Sequence, residues 1–121
     1  MQIKTYEDLD VWKKAHSLTL WVYKTTNTFP KHETYGLSSQ LQRASSSVPT
    51  NIVEGFYRNS TKELIQFLYT ARGSLGETLY LLHLSKDLKY IDSNDFSTQK
   101  EEIDIIGKQL NAWINSLKAK L

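Results

Sequence analysis

Apolar residues at Leu37, Leu41, Ala44, Val48, Ile52 and Phe56 recur every three or four positions, so one helix face continues through Pro49 without a change of phase. A proline inside a helix lacks the N–H that would bond the carbonyl four residues back, here Ser45, and its ring pushes that carbonyl aside. The pattern predicts one helix from about Leu37 to Tyr57, kinked at Pro49, with Ser45, Ser46 and Ser47 available to satisfy the freed backbone groups locally. After Gly55, Ser60-Thr-Lys-Glu63 reads as a Ser-x-x-Glu capping box, which starts a new helix near Thr61.

The same periodicity supplies three more helices. The first begins near Tyr6 to Asp8, with Thr5 as cap, and runs to Thr26. Val11, Ala15, Leu18 and Val22 form its stripe, flanked by Leu9, Trp12, Leu20 and Tyr23, while Trp21 falls near the polar edge and is expected to be exposed. The third helix, about Thr61 to Leu88, carries Leu64, Leu68, Ala71, Leu75, Thr78 and Leu82, with Phe67 and Leu79 beside them. Its far side holds Gly73, Gly76, Tyr69, Tyr80 and Leu84. Mid-helix glycines each cost about 1 kcal/mol against alanine, so this mixture suggests that another backbone comes close there. The fourth helix, capped by Asp92 or Ser93, keeps Phe96, Ile103, Leu110, Ile114, Leu117 and Leu121 at heptad spacing, joined by Ile106 and Trp113, and is amphipathic to its end. Four helices joined by short loops predict an all-α, up-down-up-down four-helix bundle forming a single domain over residues 1–121.

Composition narrows the function classes. With no cysteine, disulfides, thiolate metal sites and cysteine nucleophiles are excluded. No apolar run approaches the roughly twenty residues of a membrane span, and the start lacks the apolar core of a signal peptide, so the expectation is a soluble cytoplasmic protein. Fifteen basic against thirteen acidic residues permit a nucleic-acid partner without demanding one.

Catalytic and metal chemistry find little support. There is no Glu-x-x-His pair for a di-iron site, and His16, His32 and His83 sit on different segments without a partner at ligand spacing. There is no phosphate-binding glycine loop and no Gly-x-Ser-x-Gly elbow, and the serines at 45 to 47 have no base nearby in sequence. Glu54 and Glu77 fall within apolar patterns. If buried, they call for pairing with Arg43, Arg58 or Arg72 rather than for acid–base work, since an unpaired buried charge is costly. The expectation is a non-enzymatic protein with no cofactor and no metal.

The run Arg43-Ala-Ser-Ser-Ser-Val-Pro-Thr-Asn-Ile-Val-Glu-Gly-Phe-Tyr-Arg58, followed by Ser60, Lys62-Glu-Leu64, Phe67-Leu68 and Ala71-Arg-Gly-Ser-Leu75, resembles the four-helix-bundle proteins encoded in intervening sequences of bacterial 23S ribosomal RNA genes. Tyr6-Glu-Asp-Leu-Asp-Val-Trp12, Tyr35-Gly-Leu-Ser-Ser-Gln-Leu41 and Gly107-Lys-Gln-Leu-Asn111 carry the resemblance over nearly the whole chain. That family is similar to the accessory proteins of diversity-generating retroelements, which form homopentameric barrels and bind nucleic acid and a reverse transcriptase. The resemblance therefore implies a homo-oligomer, most simply a pentamer, which also accounts for the surplus apolar and small faces of the first and third helices.

Three readings remain open. In the first, the oligomer binds RNA or DNA phosphates through Arg43, Arg58, Lys62 and Arg72, with Lys13, Lys14 and Lys24 as a second basic face, and self-associates through Trp21, Tyr69, Gly73, Gly76 and Tyr80. Against it stands pairing of those arginines with Glu54, Glu63 and Glu77, inside the bundle or across subunits. The second reading is a scaffold that recruits a nucleic-acid enzyme without touching nucleic acid. The third is a helix-turn-helix DNA binder, with Ser45 to Ser47 as the turn and Thr50, Asn51 and Glu54 as base readers; the unbroken apolar phase speaks against it.

Overall fold

The computed structural model describes residues 2–121 and contains four long helices: α1 (Asp10–Thr26), α2 (Leu37–Phe56), α3 (Thr61–Asp87) and α4 (Ser93–Lys118). α1 packs on α2 and α4, and α3 also packs on α2 and α4, so the helices stand in chain order around one core.

Caps set the helix starts. Asp8 accepts from the backbone N–H of Lys4 at 2.9 Å and Thr5 at 3.0 Å, which holds its carboxyl below the usual range, while Thr5 Oγ1 accepts from the N–H of Glu7. This box closes a separate 3-10 turn, Tyr6–Asp8, so the chain extends at Leu9 and α1 starts later than the Thr5 signal suggests. Ser60 Oγ accepts from the N–H of Glu63 at 3.0 Å, the serine half of the expected box. Asp92 does the same for Asp95 at 2.7 Å.

The stripes read from the sequence form the core: Val11, Ala15, Leu18 and Val22 face Leu41, Val48 and Ile52, with Leu68, Leu75, Leu82, Ile106, Leu110 and Ile114 completing it. α3 buries a wider arc than its heptad stripe, adding Ile65 and Leu81. Three flanking assignments are corrected. Leu20 and Tyr23 remain exposed because α1 needs only one narrow stripe against its two neighbours. Trp21 is half-buried against the core, covered where the α3–α4 link brings Tyr90 and Ile91 beside it. α4 stops at Lys118, so Leu121 is solvent-facing rather than core.

α2 runs unbroken through Pro49, and the carbonyl that the proline leaves without a donor is satisfied from another helix. Thr19 Oγ1 of α1 donates to Ser45 O at 3.0 Å, sharing its proton with Ala15 O at the same distance. The serines do not perform this task, because Ser45 and Ser46 hydroxyls turn back to the carbonyls of Gln42 and Arg43. On the other side of α2, Ser47 Oγ and Ser74 Oγ of α3 meet at 2.8 Å, and Asn51 Nδ2 donates to Ser47. Gly55, inside α2, is where α3 comes nearest: a Cβ there would lie 2.8 Å from Leu64 Cδ1 and 3.0 Å from Phe67 Cβ.

One end of the bundle is tied by Glu33. Its Oε1 accepts from the N–H of Leu37 at 3.1 Å, supplying the cap that α2 lacks, and its Oε2 accepts from the Tyr90 hydroxyl at 2.9 Å. Lys89 takes the left-handed φ of 67°, closing α3 with Tyr90 N–H on Ser85 O at 2.8 Å and turning Tyr90 back toward Phe29. The Leu37 amide and the Tyr90 hydroxyl hold the Glu33 carboxyl below its ordinary value, and Glu33 in turn raises that of Tyr90.

Two measurements check this account. Thr19→Val strands a buried carbonyl and should cost about 1–3 kcal/mol, but much less in a Pro49→Ala background, where the restored N–H can bond Ser45; denaturant unfolding of the four-protein cycle reads the coupling. A carboxyl held low in the fold stabilises fully above its ordinary value of 4.5 and loses that contribution as pH falls through and below it. Glu33→Gln should therefore flatten the loss of stability between about pH 5 and pH 3, seen in urea midpoints; an unchanged slope would show that the tie contributes nothing.

Candidate nucleic-acid interface

The groove between α3 and α4 is lined by four cations that form no ion pair among the described residues, Lys62, Arg72, Lys108 and Lys118. Lys62 in the first turn of α3 and Arg72 on the same helix lie about 15 Å apart along its axis. Tyr69 stands between them, with the Arg72 guanidinium 4.9 Å and Lys118 Nζ of α4 5.5 Å from its ring centre. Arg72 Nη1 also donates to Asn111 Oδ1 across the groove at 2.9 Å, fixing the plane of the guanidinium. Lys62, Tyr69, Lys118 and Leu121 line a hollow of 260 Å³. A second, of 280 Å³, continues past Arg72, Gly76, Lys108 and Asn111, with Asp104 as its acid.

Among the described residues, no carboxylate lies within 4 Å of Lys62, Arg72, Lys108 or Lys118; the lysine ion pairs are Lys14–Asp10 and Lys86–Asp87. Among the described residues of the chain, the arginine–glutamate pairing weighed as the alternative does not form. Glu54, Glu63 and Glu77 are exposed and unpaired, because their positions face outward between the buried stripes, and Arg43, Arg58 and Arg72 form no ion pair with them. Arg58 instead lays its guanidinium 4.8 Å over the ring of Phe67.

The remaining basic residues do not converge. Arg43 is exposed on α2, away from the α3–α4 groove. Lys13 is exposed on α1, and Lys14 is tied at 3.0 Å to Asp10, which also accepts from Gln109 at 2.8 Å. Lys24 lines a hollow at the far end of α1 beside Asp92 and Asp95. Lys108 and Asn111 were marked in the sequence only as part of the Gly107–Asn111 resemblance, and Lys118 not at all. Their spacings of three and seven place them on one side of α4, a signal that gains meaning only once α4 is known to lie against α3.

Of the residues assigned to self-association, Gly73 and Gly76 are exposed, and an added Cβ at either would meet nothing within 4 Å. Tyr80 is 61% exposed. Tyr69 belongs to the basic groove and Trp21 to the rim of the core. No backbone of this chain approaches the two glycines.

The helix-turn-helix reading is overturned. α2 is one helix from Leu37 to Phe56, and the Asn51 amide, the most typical base reader of that proposal, is spent on Ser47. The histidines lie apart: His16 against Trp12, His32 near Glu33, and His83 3.5 Å from Asp87. Among the described residues, no group of three His, Asp or Glu side chains stands close enough to hold a metal ion, and no helix is long and apolar enough to cross a membrane.

Comparison with known proteins places this arrangement. A crystal structure from Bacteroides thetaiotaomicron, of a protein of unknown function from the S23 ribosomal protein family, superposes with a TM-score of 0.80 at 23% identity, covering 87% of this chain and 95% of that one. At that identity the likeness concerns the fold. Comparison with curated proteins gave no match. The family model for the 23S rRNA-intervening sequence protein matches residues 7–112, nearly the whole bundle, and the chain belongs to that family.

Proposed function

We propose that the protein is a non-enzymatic, homo-oligomeric bundle that binds the phosphate backbone of RNA or DNA along the α3–α4 groove. The observation that carries this reading is the grouping of Lys62, Arg72 and Lys118 around Tyr69 with no carboxylate to neutralise them. A guanidinium over an aromatic ring and bonded to Asn111 presents its remaining N–H groups as a fork, the geometry that suits phosphate. Lys62 and Lys118 add point charges on flexible stems, and binding releases counterions from the nucleic acid. Such contacts read backbone shape rather than sequence, in keeping with a groove that offers few side chains for base edges.

Self-association belongs to the same reading. Gly73, Gly76 and Tyr80 form an uncovered strip of α3 on which a second subunit could approach closely, and a pentameric ring, as the resemblance implies, would repeat the basic groove several times. A scaffold for a nucleic-acid enzyme such as a reverse transcriptase is the alternative, and it requires no affinity for nucleic acid.

Filter binding of structured RNA should give tight retention at low salt with a steep salt dependence. The double substitution Arg72→Ala/Lys118→Ala should lower the slope of log K against log salt by about two, whereas Lys24→Ala should leave it nearly unchanged. Negligible wild-type affinity at low salt would favour the scaffold. Light scattering should give a mass several times 14.0 kDa. Gly73→Leu meets open space in the single chain and removes a poor helix former, so it should not harm the fold, yet it should break the assembly by overpacking each interface by about 1–3 kcal/mol.

A further inference from the structure

The α1–α2 groove lies on the side of the bundle away from the α3–α4 groove and contains a hollow of 340 Å³ that the basic groove does not use. Its wall is aromatic. The rings of Trp12 and His16 stack at 4.8 Å and 10°, and Tyr6 meets Trp12 edge-on at 4.8 Å. The opposite wall comes from α2 and is shaped by what is missing there: Ser46, Pro49 and Thr50 stand where longer side chains would fill the gap. Glu54 borders the hollow as an exposed carboxylate, and among the described residues it has neither an ion pair nor a hydrogen bond.

We infer that this hollow binds a guanine base. Its volume is of the size that receives small ligands, and a planar ring set lengthwise in the groove would stack between the His16 side of the aromatic wall and Pro49 opposite, with its edge toward Glu54. Stacking alone accepts any base; the carboxylate supplies the choice. An ionised carboxylate only accepts hydrogen bonds. Of the four common bases, guanine alone presents two adjacent donors, N1–H and the 2-amino group, along one edge, matching the two oxygens of Glu54. Adenine and cytosine each place a ring-nitrogen acceptor beside their amino group, and uracil flanks its one N–H with two carbonyls, so each would set a lone pair against the carboxylate. The site does not depend on the phosphate contacts of the basic groove.

Titration with guanosine, inosine and adenosine 5′-monophosphates tests the assignment, followed by calorimetry and by the indole N–H resonance of Trp12. The guanine nucleotide should bind roughly tenfold more tightly than the adenine one, with inosine, which keeps N1–H but lacks the amino group, between them. Glu54→Gln should abolish that order without unfolding the chain, since Glu54 is exposed, and His16→Ala should weaken all three alike. Equal binding of the three nucleotides, an order that survives Glu54→Gln, or no movement of the Trp12 resonance with any of them would overturn the inference. Arg72→Ala/Lys118→Ala should leave guanine binding unaltered, which separates this result from that for the basic groove.

Discussion

A single hydroxyl decides how α1 and α2 come together. Pro49 leaves the carbonyl of Ser45 without its helical donor in a fully buried position, where an unsatisfied oxygen costs about 1–3 kcal/mol. Thr19 reaches across to take it. That contact fixes the axial register of the two helices, because a slide by one turn would strand the carbonyl again. The register seats Leu18 and Val22 against Leu41, Val48 and Ile52, and it leaves the far side of α2 free for Ser47, Asn51 and Gly55 to meet α3. Nonpolar burial supplies most of the stabilisation, but it is non-directional; the polar contact chooses among the packings it would permit.

The basic groove shows how fold and surface charge divide their tasks. Tyr69 is half-buried, and it serves as a platform on which two cations from different helices rest without an acid between them. Lys86 and Lys14, by contrast, stand beside aspartates and lose their reach. Net charge is close to balanced over the whole chain, so it is the lack of ion pairs among the described residues at Lys62, Arg72, Lys108 and Lys118, with Asp104 the one acid lining the two hollows, and not the total, that leaves this groove positive.

Much of the architecture was legible because helical periodicity depends on local spacing alone. The stripes from Val11 to Val22 and from Leu37 to Ile52 are buried as read. The sequence also marked Ser45 as the carbonyl that Pro49 would orphan, yet its donor, Thr19, is 26 residues away and belongs to another helix, beyond any local rule. The candidate site suffered the same limit. Lys62 and Arg72 could be named from their own helix, but Lys118 and Asn111 join them only through the fold. The glutamates misled for a related reason: periodicity assigns a stripe but not its width, and Glu54 and Glu77 lie just outside it.

The Glu33 tie makes the two ends of the bundle mechanically unequal. At one end a carboxylate holds the α1–α2 link, the start of α2 and the α3–α4 link as one piece. At the other, the last turn of α4 meets α3 through packing and through Lys118 lying over Tyr69. Local opening is expected to begin at the end that lacks this tie, with amide protection falling along α4 toward Lys118. The Lys62–Tyr69–Lys118 hollow sits at that end, so the cations stand where the helices are joined by side-chain packing, away from the end that the carboxylate ties together.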